Sequence, residues 1–158
     1  MLTRSPNRKP LYSEAERARR DNTHWTTVQG VLAPLQFVVF AVSLVLVLRF
    51  VTTGDGYEVA TVSIVAKTAI LYAIMVTGAI WEKVVFGQYL LAPAFFWEDV
   101  FSFVVIVLHT AYLLLLWMQA DVGLQMAVAL AAYAAYAVNA TQFLLKLRAA
   151  RLDAEVRP

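Results

Sequence analysis

Charged residues leave four long stretches of this chain untouched, at 22–48, 68–81, 100–120 and 122–145. Three of them exceed the roughly 18–20 apolar residues that cross a bilayer as a helix. The fourth reaches that length only by extending back to about Val59 across Lys67, which makes Lys67 a residue to be explained. The pattern predicts spanning helices over about 26–50, 58–81, 99–119 and 124–146, with Gly54-Asp55-Gly56 as a turn after the first. Trp25 falls at an interface, where amphipathic rings settle, and Pro34 is expected to kink the first helix. Ahead of it, Ser13-Glu14-Ala15-Glu16 fits a capping box that opens a short polar helix ending near Asn22.

The fold class expected is therefore all-α: a polytopic membrane protein, a four-transmembrane-helix bundle with an interfacial or re-entrant segment between helices two and three. Residues 1–25 form a basic arm, flexible over 1–12, and the short helix; 26–146 form the membrane domain; 147–158 form a basic tail. Composition agrees. Of the 158 residues, 61% are hydrophobic and 15% charged, against roughly half and a quarter in a soluble domain. The first 27 residues are polar and basic where a signal peptide would carry its apolar region.

The basic residues give the orientation. Six Lys or Arg lie before the first spanning helix, Lys83 lies in the second connection and four lie from Lys146 onward, whereas Arg49 alone marks the opposite side. By the positive-inside rule both termini are expected on the cytoplasmic side, which four helices satisfy. The net charge of +2 is no sign of a nucleic-acid partner, because the basic residues flank membrane segments. The absence of cysteine removes disulfides, thiolate metal sites and thiol nucleophiles.

The second connection is the unusual part. Glu82-Lys83 and Glu98-Asp99 bracket fourteen apolar residues, too few to span, with Gly87 and Pro93 as breaks. Backbone exposed by such breaks must be covered by protein or line a cavity, so a pocket is expected at the cytoplasmic boundary. Folding the segment back brings Glu82 towards Glu98 and Asp99. Desolvation then favours the neutral acid in one carboxyl, and a charged neighbour acts in the same direction. One proton donor and one anion in a single site suit general acid–base chemistry. The plainer reading is that the three carboxyls mark helix ends, where the dipole favours Asp99.

Other polar residues lie deeper. His109, near the middle of the third helix, is a functional candidate by depth. It sits eleven residues and about 16 Å from Glu98 on the same face, and its neutral ring suits an axial bond to a metal carried by a pigment. Otherwise it hydrogen-bonds a neighbouring helix. Lys67 either snorkels to the far interface, which is the leading expectation, or pairs with a pigment, a carboxylate or carbonyls. Asn139, Gln142 and Lys146 share one face of the fourth helix and, with Tyr136, either knit helices together or line a substrate entrance. Gln29 and Gln36 pair similarly on the first. Trp81, Trp97 and Tyr89 are belt residues whose rings also suit stacking on a planar ligand. With Lys83, these make the candidate substrate contacts His109, Lys83, Trp81, Trp97, Tyr89, Asn139 and Gln142. No HExxH, Walker loop, GxGxxG or CxxCH is present, and two histidines at different depths exclude a multi-histidine metal site.

The stretches RRDNTHWTTVQGVLAPLQF (19–37), ILYAIMVTGAIWEKVVFGQYLLAPAFFWEDVFS (70–102) and NATQFLLKLRAARL (139–152) resemble the 3-vinyl bacteriochlorophyllide hydratases, and the resemblance covers about 11–152. It implies a place in bacteriochlorophyll synthesis in the inner photosynthetic membrane of a bacterium. It also implies addition of water to the vinyl group of a chlorophyllide or bacteriochlorophyllide, giving a 1-hydroxyethyl group. No cofactor is expected beyond the magnesium that arrives with the substrate. The partners implied are that pigment, the lipid bilayer and other enzymes of the same synthesis. On this reading Glu98 or Glu82 is the acid, Asp99 the anion and base, and His109 or a water meets the magnesium. A non-enzymatic pigment carrier or scaffold is the alternative; a small transporter is disfavoured by the lack of an inverted repeat.

Overall fold

The structure, a computed structural model, describes residues 9–156. Five helices follow in order: α1 (Glu14–Asn22), α2 (His24–Thr53), α3 (Tyr57–Phe86), α4 (Phe96–Trp117) and α5 (Val122–Val156). Local chemistry fixes most of the ends. Ser13 and Glu16 form the expected capping box, with the Ser13 N–H donating to the Glu16 carboxylate at 2.7 Å. Gly54 and Gly56 turn the chain with φ of +79° and +90°, and Gly87 closes α3 with φ of +85° while its N–H donates to the Lys83 carbonyl. These are left-handed conformations that side chains resist. Pro34 sits inside α2 without ending it.

The four long helices run alternately up and down. The α2–α3 and α4–α5 hairpins are the closely packed pairs, and they meet through α2 against α5 and α3 against α4. All four long helices are apolar enough to cross a membrane. Their polarity is inverted relative to a soluble bundle: Val45, Val62 and Val107 are about two-thirds exposed, while Gln36, Ser43, Lys67, Thr68, His109 and Asn139 are buried. With lipid outside, polar side chains find partners only between helices.

Helix length differs in a way that makes room for a site. α2 and α3 have 30 residues each, about 45 Å at 1.5 Å per residue, longer than the roughly 30 Å hydrocarbon layer. α4 has 22. The connection 87–95 folds into the space left over. Its Phe95 is buried with Tyr12 and Val85 against Trp81, Phe86 and Phe143.

Several expectations change. α3 continues through Glu82 and Lys83 to Phe86, and α4 takes up Phe96 and Trp97, so the connection is shorter than the fourteen-residue apolar run. The boundary expected at residue 146 is no change of element, because α5 runs on to Val156. The end of the arm is not loose: Tyr12 is buried, stacking on Phe86 with ring centroids 5.8 Å apart, and Arg20 lies over its ring. The start of the arm, 1–8, and residues 157–158 lie outside the described residues. Lys67 does not snorkel. It has no exposed surface, and its ammonium lies 3.7 Å from the centroid of the Tyr136 ring, where a cation–π contact stands in for water.

Candidate active site

The three carboxyls predicted to gather do so, at the end of the bundle that carries both chain ends. Glu82 lies in the penultimate turn of α3; Glu98 and Asp99 lie in the first turn of α4. All three are buried. Glu82 and Asp99 are in side-chain hydrogen-bonding contact. Two carboxyls make that contact only when at least one of them carries a proton, and a pair that shares one proton offers an acid and an anion in a single site.

The connection supplies the rest of the environment. Leu91 adopts φ of +60°, a left-handed conformation that costs an L-residue roughly 1–2 kcal/mol. It turns two successive amides towards the pair. The Leu91 N–H donates to Asp99 Oδ2 at 2.8 Å, and the Ala92 N–H reaches Glu82 Oε2 at 3.5 Å. The short bond favours charge on Asp99 more strongly than the long one does on Glu82. Strain of this kind persists where surrounding structure over-determines it, commonly at functional sites.

Glu98 is engaged differently. Lys146 of α5 donates to Glu98 Oε2 at 2.9 Å and to the Ala94 carbonyl at 2.6 Å, joining α5, α4 and the connection through one ammonium. Asn139, one of the predicted stripe, donates to the Glu98 carbonyl at 2.8 Å and accepts from Ser102 at 3.1 Å. Glu98 is thus ion-paired across the helix interface. Its carboxylate also lines a groove of about 410 Å³ with Leu11, Gln142, Leu145 and Lys146, within the range of small-molecule sites.

The remaining candidates are not all brought to the carboxyls. Trp81 donates from its indole N–H to Thr26 at 2.9 Å and makes T-shaped contacts with Phe86 and Phe95, so it is committed to packing at this end of the bundle. Lys83 is exposed and donates to the Gly87 carbonyl. Tyr89 and Trp97 are exposed by 61% and 65% on the outer surface, which suits a membrane belt better than an enclosed site. His109 is wholly buried and bonds not a neighbouring helix but its own Val105 carbonyl, at 2.7 Å. Among the described residues no group of three or more His, Cys, Asp or Glu is disposed to hold a metal ion.

Sequence reasoning did not find the two amides, which carry no side-chain signal, nor Arg19, whose Nε donates to the Val85 carbonyl at 2.9 Å and ties α1 over the end of α3. Ser102 had a signal in its spacing of four from Glu98.

The 2-vinyl bacteriochlorophyllide hydratase family profile matches residues 12–149. The protein named 2-vinyl bacteriochlorophyllide hydratase in Rhodobacter capsulatus is 69% identical over 150 residues, covering 95% of this chain and 88% of that one. Its namesake in Cereibacter sphaeroides is 69% identical over 151 residues, covering 96% and 94%. No solved structure matches. The locants 2 and 3 for the vinyl-bearing carbon come from the two numbering schemes in use for tetrapyrroles and denote the same group. The family match spans the carboxyl pair, the connection that donates to it and the polar seam of the bundle, and the chain accordingly belongs to the 2-vinyl bacteriochlorophyllide hydratase family.

Proposed function

We propose that this chain adds water to the vinyl group of a chlorophyllide or bacteriochlorophyllide, with Glu82 as the acid and Asp99 as the base. The observation that carries the reading is the buried contact between these two carboxyls. Hydration of a vinyl group begins with a proton on its terminal carbon. Glu82 gives that proton, leaving a methyl group and a cation on the carbon next to the macrocycle, where the ring system delocalises it. The negative charge of the pair faces the cation and lowers its energy. Water adds to the cation, Asp99 takes the proton that water loses, and the product is the 1-hydroxyethyl group. The proton then returns from Asp99 to Glu82 along the hydrogen bond between them. Nothing is oxidised or reduced overall, so the reaction asks for acid–base groups rather than a redox cofactor. The magnesium belongs to the substrate.

The Lys and Arg bias supports both chain ends, and with them the carboxyl pair, lying at the cytoplasmic face of a bacterial inner photosynthetic membrane. The groove beside Glu98, with Lys146 and Gln142, offers the macrocycle's polar substituents a cation and an amide.

The test is to incubate membranes with and without the full chain with chlorophyllide a and weigh the pigment. A product one water heavier, formed only with the chain, is expected. Pigment that binds the chain and leaves unchanged would make it a carrier.

A further inference from the structure

His109 is locked in a form that the carboxyl mechanism does not use. A carbonyl only accepts, so the 2.7 Å bond to Val105 O fixes the proton on Nδ1 and leaves a lone pair on Nε2 of the neutral ring. That nitrogen is buried and has no partner among the described residues. A backbone bond holding one imidazole nitrogen while the other stays open is the usual support for a metal-ligating histidine. Lys67 Nζ and Gln36 Oε1, buried as well, also lack hydrogen-bond partners among the described residues, although Lys67 lies over the Tyr136 ring. His109 and Lys67 belong to the meeting of the two hairpins, where the Tyr133 ring lies 5.8 Å from His109 and 5.7 Å from the Lys67 ammonium. Buried polar atoms without hydrogen bonds are costly, and two of them at one seam leave bonding capacity there for a ligand.

We infer that His109 Nε2 is the axial ligand to the magnesium of the bound macrocycle, which enters the seam between the α2–α3 and α4–α5 hairpins. This rests on the substrate reading above and adds to it how the pigment is held. The register fits. Asp99 and His109 are ten residues apart, about 15 Å along α4. The bond to Val105, four residues back, draws the ring over the preceding turn, towards the carboxyls. About 10 Å then remains along the helix, from about 15 Å less one turn of 5.4 Å, to be filled by the axial bond, half a macrocycle and its vinyl arm. The seam is the less closely packed interface, because the close backbone packing lies within each hairpin and not between them; entry of the macrocycle there requires cross-hairpin hydrogen bonds such as Ser43–Tyr133 to open. Phe40, in ring contact with both Tyr133 and Tyr136 there, makes with them an aromatic surface suited to the ring system.

The test uses the full chain in lipid nanodiscs, titrated with chlorophyllide a and with its magnesium-free counterpart, and reads magnesium coordination number by resonance Raman. The wild type is expected to bind the magnesium pigment in the five-coordinate state and more tightly than the metal-free one. His109→Gly is expected to lose that preference, with affinity for the magnesium pigment falling at least about tenfold. Added imidazole should restore both, which also shows the variant to be folded. Glu82→Gln should keep the five-coordinate signature whatever its turnover, so failure of the acid–base reading shows in turnover and failure of ligation in the spectrum. An unchanged coordination signature in His109→Gly overturns the inference.

Discussion

Glu82 and Asp99 come from different helices and touch only because the connection between those helices is short and bent. α3 ends four residues after Glu82, and α4 begins three residues before Asp99. Between them Leu91 and Ala92 present their amides to the two carboxyls, one each. The fold thereby gives one pair of chemically similar groups two different partners, and so two different roles.

The amide of Leu91 is expected to matter more than its side chain. Leu91→Gly adopts the +60° backbone without strain and should keep near wild-type turnover. Leu91→Pro lacks the N–H and fixes φ near −65°. Losing a hydrogen bond to a charged group should lower turnover by roughly tenfold or more. Parallel assays in membranes check both, and equal activities would argue against the amide's role.

Lys146 is expected to act through the carboxyl anchor. In Lys146→Met, Glu98 is left buried without its partner and the Ala94 carbonyl loses a donor. The lysine is 29% exposed, so the cost should fall between that of exposed and buried pairs, on the order of 2 kcal/mol. The double variant with Glu98→Gln should recover much of that stability, because it removes the stranded charge. Denaturant unfolding in detergent measures the coupling, and additive losses would mean that the two side chains do not work as a pair.

Lys67 is expected to be held against stability. Its ammonium is wholly buried, with aromatic faces beside it. Lys67→Met keeps the length and removes the charge, and should raise the melting temperature of the pigment-free protein by an amount equivalent to on the order of 1 kcal/mol. A lower melting temperature would show that the cation contributes more to the fold than its desolvation costs.

Much of this was readable from the chain. Block lengths and the Lys and Arg bias led to the four spanning helices, and the bracketing of one apolar run by Glu82 and by Glu98-Asp99 led to the carboxyl cluster. What was not readable depended on tertiary placement. Glu98 and Asp99 are adjacent and alike in sequence, yet Lys146, 47 residues beyond Asp99, neutralises one, and a strained leucine amide binds the other. Trp81 and Trp97 look equivalent as belt residues, but only Trp81 turns inward to Thr26. Lys67 seemed able to reach the interface because hydropathy does not reveal that three tyrosine and phenylalanine rings enclose its ammonium.

The most direct test of the carboxyl pair is turnover by Glu82→Gln, with Glu82→Asp and Asp99→Asn alongside, in membranes containing equal amounts of folded protein. The amide of glutamine can still donate to Asp99, so the contact survives while the transferable proton is gone. Formation of the water-added pigment should fall by about 10²-fold or more in Glu82→Gln and Asp99→Asn and be partly retained in Glu82→Asp. Wild-type turnover in Glu82→Gln would contradict the account.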